Sequence, residues 1–446
     1  MVFNNNCNIS KESNSSNDIN FTKNYCLPKN ILYKFLIIIL CFCVLLFSNI
    51  STFAANNATT YVWSNQSKKL ETAETSSTIL NSSSNTVTGN PLGLDCGSAC
   101  LIEQNTGLII YDYNMHEPLR PASITKIMSI LLIMEALDSG KISLTDKVPC
   151  TEDAAGMGGS QIWLDVSETL TVDEMLKAIC VVSANDCVVA MADYLEGSQE
   201  AFVKKMNQKA KELGMNDTCF KNCHGIDEEG HITSAYDIAI MSRELLVNHP
   251  TITKYTTIWM DSLRDGKSSL VNTNKLVRNY NGCTGLKTGS TSLALYNLAA
   301  SATRSDLSLI CVIMKAPTTK VRFANAQQLL DYGFSNYSIK SFGKKGEKIK
   351  SIKVNKGTSQ SVNVVFEDNA EILFSKNNNN EITQEMILED SIDAPILENQ
   401  KLGEIKFSIN GSIVSSVNLV ADKKIDRLSF ASMAKSIMYT WFNLCR

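Results

Sequence analysis

The stretch Pro121-Ala122-Ser123-Ile124-Thr125-Lys126 stands directly before an apolar helical pattern made by Ile127, Met128, Leu131, Leu132, Met134 and Leu137. That spacing predicts a helix over Ser123–Asp138. A serine and a lysine three apart at a helix start share one face, about one turn apart. The lysine amine can then reach the serine hydroxyl, which is a poor nucleophile until a base takes its proton. Lysine serves as that base only if its pKa falls from about 10.4 toward neutrality, through burial or neighbouring positive charge. The positive end of the helix dipole helps. Alone the pattern is weak, since it recurs as Ser341/Lys344 and Ser432/Lys435. The plain reading of any one copy is a surface serine beside a solvated lysine. Only the first copy opens a long apolar helix and is followed by further polar motifs.

Downstream lies the glycine-rich segment Gly156-Met157-Gly158-Gly159-Ser160, with Trp163 after it. Thr171-Val172-Asp173-Glu174 has the form of a capping box, so a helix is predicted from there to about Cys180. Ser183 and Asn185 then fall on a tight connection before a second apolar helix, Cys187 to Leu195. A Ser-x-Asn turn gripped by two buried helices suits a rigid site, although helix capping explains the same residues. Helical patterns recur at Gln199–Leu213, Ala235–Leu246 and Val321–Tyr332. The histidines of the loop between His224 and His231 are read as local hydrogen-bonding or packing groups, because no Gly-x-Ser-x-Gly accompanies them. Lys287-Thr288-Gly289 occurs once and leads into strands Leu293–Thr303 and Leu307–Lys315. It is expected to expose a cation and a hydroxyl along a strand edge that glycine keeps clear, as an extended peptide ending in a carboxylate requires. The bland alternative is a solvated lysine in a turn.

Composition bounds these readings. A chain of 446 residues with 44% hydrophobic content can bury a large core and a smaller one. The net charge of −3 argues against a general nucleic-acid binder. There are four histidines and no His-Glu-x-x-His, which excludes a zincin site. Of the 14 cysteines, Cys96/Cys100 and Cys219/Cys223 form four-residue steps. These are read as buried thiols, with disulfides or a metal pair as the alternatives. Phe35 to Phe47 is uncharged, follows Lys23, Lys29 and Lys34, and precedes the small residues around Ala54 and Ala55. That pattern predicts a signal peptide and export. The Ser/Thr/Asn-rich stretch after it reads as a spacer, with order beginning near Cys96 in a hairpin of Ala99–Gln104 and Leu108–Tyr113. From about Ser341 short β-like runs follow: Ile349–Val354, Ser361–Phe366, Ile382–Leu388, Glu404–Ile409 and Ile413–Val420. At the end Phe430, Met433, Ile437, Met438 and Trp441 share a helical face, and Lys423, Lys424, Arg427, Lys435 and Arg446 outnumber Asp422 and Asp426. That suits a helix lying in an anionic membrane surface. The domain expectation is therefore 1–55 leader and signal, 56–92 linker, 93–340 catalytic, 341–421 small β-domain and 422–446 amphipathic helix.

Ser123-x-x-Lys126, Ser183-x-Asn185 and Lys287-Thr288-Gly289, in that order on an exported chain, are the signature of penicillin-binding proteins and serine β-lactamases. Residues from about Leu94 onward resemble the D-alanyl-D-alanine carboxypeptidases among the low-molecular-mass penicillin-binding proteins. The matching passages are Pro121–Met128, Gly159–Trp163, Val182–Asp186, His231–Asp237 and Gly285–Thr291. The resemblance implies an α+β fold: a transpeptidase domain of antiparallel sheet and helical cluster, then a small all-β domain and the terminal helix. It implies that Ser123 attacks the carbonyl between two terminal D-alanines of a peptidoglycan stem peptide, with Lys126 as general base. Ser183 would relay a proton and Asn185 hold the substrate amide. Lys287 and Thr288, ahead of Gly289, would bind the terminal carboxylate, and the backbone N–H groups of Ser123 and Ser290 would form the oxyanion hole. No metal or organic cofactor is implied. β-Lactams would acylate Ser123, and the protein would work at the outer face of the cytoplasmic membrane or in the cell wall.

Two departures stand out: Ala184 where the family often has glycine, and Leu295 where it often has glycine, a bulk expected to narrow the cleft. The competing readings are a class A-like β-lactamase, for which Glu244 to Asn248 is a near match to the deacylating motif, and a non-catalytic wall-binding protein. The motif would lie within a helix, and the nucleophile and lysine are both present.

Overall fold

The computed structural model describes residues 86–377 and 381–430, together with Ala434, Met438, Tyr439 and Trp441. The leader, the signal segment, most of the spacer and most of the terminal amphipathic helix lie outside the described residues. Among the described residues no helix is long and apolar enough to cross a membrane.

The organising element is a six-stranded sheet of β1 (Val87–Thr88), β2 (Ser98–Glu103), β3 (Ile109–Tyr113), β4 (Cys283–Thr291), β5 (Leu295–Arg304) and β6 (Leu307–Ala316). Its order is β1-β3-β2-β6-β5-β4, antiparallel except where β1 lies parallel to β3. β1 corrects the expectation that order begins near Cys96, since Val87 and Thr88 pair with Tyr111 and Asp112 inside the predicted spacer. Two valine- and threonine-type residues are too short a run to register as a strand without their partner.

β6 is apolar almost without break because both faces of the sheet are covered. Ile310, Val312 and Met314 face one core and Leu309, Cys311 and Ile313 the other, as a period of two dictates. The first core is filled by α1 (Lys126–Asp138), α2 (Val172–Val181), α3 (Asn185–Glu196), α4 (Gln199–Glu212) and α5 (Ala235–Asn248). The second is covered by Phe323, Ala326, Leu329 and Leu330 of α6 (Thr319–Asn336). α2 starts with the predicted capping box: Thr171 Oγ1 accepts from the Glu174 N–H and the Glu174 carboxylate accepts from the Thr171 N–H.

α6 runs directly into β7 (Tyr337–Gly343), which pairs with β10 (Ala370–Ser375). The β-region therefore begins a few residues before the expected start at 341. Among the described residues β7 and β10 pair only with each other, so neither run shows as a strand without its remote partner. A further six-stranded sheet holds β8 (Lys348–Asn355), β9 (Ser361–Phe366), β11 (Ile382–Leu388), β12 (Ser391–Asp393), β13 (Lys401–Ile409) and β14 (Ser412–Ala421). Val362, Val364, Ile405, Phe407 and Leu419 give it a core of its own. The nine described cysteines, including Cys96, Cys100, Cys219 and Cys223, are free thiols.

Candidate active site

Ser123 does not begin the α-helix as predicted. Residues Ala122–Thr125 form a 3₁₀ turn, and the α-helix starts at Lys126. Ala122 takes a left-handed φ of 50°, a conformation an L-alanine rarely adopts. Neighbouring backbone holds the turn in place. A Cβ at Gly225 would lie 2.0 Å from Ala122 O, and one at Gly289 would lie 3.0 Å from Ser123 N. Asn297 on β5 donates its side-chain N–H groups to Arg120 O at 2.8 Å and Pro121 O at 3.1 Å.

Lys126 is fully buried. Its Nζ lies 3.0 Å from Ser123 Oγ, 2.6 Å from Asn185 Oδ1 and 2.7 Å from His224 O. Burial, and after it the nearby Lys287 ammonium, hold its pKa well below the ordinary lysine value. The amide and carbonyl oxygens only accept, so they take the two N–H bonds of a neutral amine. The lone pair is then left for the Ser123 hydroxyl.

The Ser-x-Asn turn lies between α2 and α3. Ser183 has φ 65°, and its buried Oγ has no hydrogen-bond partner among the described residues. An orphan hydroxyl of this kind costs about 1–3 kcal/mol, which a ligand can relieve. Asn185 is the first residue of α3 rather than part of the connection. Its N–H donates to Ser160 O at 2.7 Å and its Nδ2 to Gly158 O at 2.6 Å. Asp186 accepts from the N–H groups of Ile162 and Leu164, while Arg264 donates to the carbonyls of Ile162 and Trp163. This clamp ties the glycine-rich segment to the turn and leaves Trp163 75% exposed.

Lys287, Thr288, Gly289 and Ser290 all lie within β4. The expected exposed cation is corrected: Lys287 is only 2% exposed. Its Nζ donates to Thr288 O at 3.0 Å, and burial lowers its pKa to about 7, with Arg322 adding to the fall. Thr288 Oγ1 donates to Thr273 Oγ1 at 2.8 Å. Leu295 adopts φ 55° opposite Thr291, at the end of the β4–β5 pair. A left-handed position explains why glycine is favoured there better than cleft width does.

Lys287 also sets a pH dependence of stability. An unfolded lysine holds its proton up to about pH 10.4, so between pH 7 and 8.5 the unfolded chain binds more protons than the folded one. Stability is therefore expected to rise with pH over that window, by about 1.6 kcal/mol from this group. Lys126 acts in the same direction. Urea unfolding of the Lys287→Met variant should show a flatter rise; an unchanged slope would reject the assignment.

Several contributors escaped the sequence reading. The His224 carbonyl is a backbone group, which residue identity cannot reveal. Asn297 has no local motif. Arg322, in the first turn of α6, is a buried cation whose Nη1 donates to Gly289 O and Asn297 O beneath the Tyr296 and Phe323 rings. Glu244 lies inside α5, near Glu135 and His249. Glu135 already pairs with Lys209 and His249 with Asp138.

A family model described as D-alanyl-D-alanine carboxypeptidase matches residues 84–318, and one described as the C-terminal domain of penicillin-binding protein 5 matches residues 337–427. The chain is 44% identical over 354 residues to D-alanyl-D-alanine carboxypeptidase DacF of Bacillus subtilis, covering 78% of this chain and 91% of that protein. Its fold is similar to penicillin-binding protein 5 of Haemophilus influenzae, with a TM-score of 0.66 and 30% identity over 75% of this chain and 98% of the other. Penicillin-binding protein D2 of Listeria monocytogenes, solved in its ampicillin-bound form, is similar with a TM-score of 0.50 and 28% identity, covering 55% and 99% of the two chains.

Proposed function

Because the chain belongs to the D-alanyl-D-alanine carboxypeptidases, serine-type hydrolases of the penicillin-binding protein family that act on cell-envelope peptidoglycan, we propose that Ser123 is its nucleophile and Lys126 its general base. The observation that carries this assignment is the set of three partners around Lys126 Nζ, two of which only accept. The neutral amine takes the Ser123 proton as Oγ attacks the carbonyl carbon of the penultimate D-alanine. The N–H groups of Ser123 and Ser290 receive the developing oxyanion. The C–N bond then breaks as Ser183 gives its hydroxyl proton to the departing D-alanine nitrogen and takes in its place the proton that Lys126 removed from Ser123. Water hydrolyses the ester and frees Ser123. The substrate carboxylate docks on the Lys287 ammonium and Thr288 beside Gly289. That contact favours the protonated lysine, so substrate binding takes up a proton near neutral pH. Asn185 retains one lone pair and one hydrogen for the substrate amide beyond its bonds to Lys126 and Gly158.

The test is to incubate the full chain with a peptide ending in Lys-D-Ala-D-Ala and to measure free D-alanine. Release is expected, and a penicillin adduct should map to the peptide containing Ser123. An adduct on another serine would reject the nucleophile assignment. Fast turnover of penicillin to penicilloate would instead favour the β-lactamase reading, which Glu244 does not support from within α5.

The same proposal extends to the rest of the chain. The apolar run Phe35 to Phe47 directs export, and the basic, amphipathic residues 422–446 hold the protein at the outer face of the cytoplasmic membrane. Phe430, Met438 and Trp441 are 88%, 57% and 69% exposed, leaving apolar surface for lipid. A separate apolar core in the β-region favours the division into catalytic and β-domains. Truncation after Ala421 is expected to move the signal-processed protein from the membrane to the soluble fraction; unchanged membrane association would reject the anchor.

A further inference from the structure

The turn presenting Ser123 is held from behind by a row of hydrogen bonds that the reaction does not use. The Lys221 N–H donates to His231 Nδ1 at 2.9 Å. That nitrogen therefore carries no proton, and in a neutral ring the proton sits on Nε2. Nε2 lies 2.7 Å from Thr125 Oγ1, and Thr125 Oγ1 donates onward to Ala122 O at 2.9 Å. Each role follows from the one before it: Nε2–H donates, the hydroxyl accepts and donates, and the carbonyl accepts. His231 and Thr125 are both buried, and burial pushes the imidazole pKa down to about 4, so the ring is neutral at physiological pH.

The far end of this row matters most. Ala122 O belongs to the same peptide unit as the Ser123 N–H. In a planar trans peptide the two point in opposite directions, so holding the oxygen aims the N–H. The unit needs such a hold because Ala122 sits at φ 50°. Gly225 and Gly289 restrict the turn by contact, but neither shape contact supplies a directional bond to that oxygen.

We propose that His231, acting through Thr125, is a positioning residue that aims the Ser123 N–H at the oxyanion of the acylation transition state. The proposal rests on the reading of that N–H as an oxyanion donor. A merely structural role is the competing account, since the segment from Cys219 to Thr233 is also tied down by bridges Cys219–Ile232 and Leu119–Thr233. That account predicts lost stability without any change in how the enzyme treats the carbonyl oxygen.

The experiment compares acylation of the full chain by a fluorescent penicillin, by a depsipeptide ester and by the matching thionoester, in which sulfur replaces the oxygen that becomes the oxyanion. Wild type should favour the ester over the thionoester beyond their intrinsic reactivities. Thr125→Val removes the hydroxyl at nearly constant volume. It should lower ester and penicillin acylation about tenfold or more, below the roughly 10²–10³-fold loss of a whole oxyanion donor, and shrink the ester-to-thionoester ratio. Thr125→Ser, which keeps the hydroxyl, should restore most of both. If Thr125→Val does not fold, His231→Leu carries the same comparison. Ester acylation within about twofold of wild type, or an equal fall for ester and thionoester, would overturn the relay. A wild type that forms no Ser123 adduct would instead refute the reading of the site itself.

Discussion

Lys126→Arg is expected to lower acylation of Ser123 by about 10³-fold or more, although it preserves the formal charge of a protonated lysine. The reason is that the site needs a neutral amine. Lys126 is enclosed by the Asn185 amide oxygen and the His224 carbonyl, has no carboxylate among its hydrogen-bond partners, and feels Lys287 as a second cation. Burial and like charge both disfavour the ammonium. A guanidinium stays protonated at any working pH, so it cannot accept the Ser123 proton. It is also planar and longer, and it would press on a fully packed pocket. Acylation by a fluorescent penicillin measures the first step without requiring turnover. A Lys126→Arg variant acylated within about tenfold of wild type would show that another group removes the proton.

The second large effect is expected at a residue that carries no chemistry. Gly225→Ala should lower thermal stability by about 2–4 kcal/mol and slow acylation about 10²-fold or more. Gly225 sits at φ 91°, where a side chain is strained whatever the space. There is also no space: its Cβ would lie 2.0 Å from Ala122 O and 2.9 Å from Ser123 N. The alanine must push either its own loop or the nucleophile turn, and that loop also supplies the His224 carbonyl to Lys126. Gly140→Ala separates the two penalties. It has φ 72° with nothing within 4 Å, so it pays only the backbone term, about 1 kcal/mol. Equal melting temperatures and acylation rates for the two variants would mean that the contact at Ser123 is soft.

Local patterns were legible because their partners are near in sequence. The Thr171–Glu174 capping box, the helices from α1 to α6 and the pair Ser123/Lys126 all depend on groups within a turn of one another. The three motifs were also visible, since each is a short run of unusual residue types. Errors came where the partner was remote. β1 and β10 are strands only because β3 and β7 pair with them. Lys287 looked like an exposed cation, because alternation along one strand cannot say whether helices cover that strand.

What the sequence determined by itself was the set of candidate reacting groups and their order along the chain: Ser123 and Lys126, then Ser183 and Asn185, then Lys287, Thr288 and Gly289. The tertiary structure decided how they are placed and what surrounds them. The low pKa of Lys126 needs burial and the charge of Lys287, and its amine is oriented by the Asn185 oxygen some 60 residues away and the backbone carbonyl of His224; none of these is a local property. The same holds for the seat of Ser123. Residues Gly225, Gly289, Asn297 and His231 come from distant segments to hold one turn at a strained φ. Residue types name a chemistry, but a pKa and a donor direction belong to the packed surroundings, which exist only once the chain has folded.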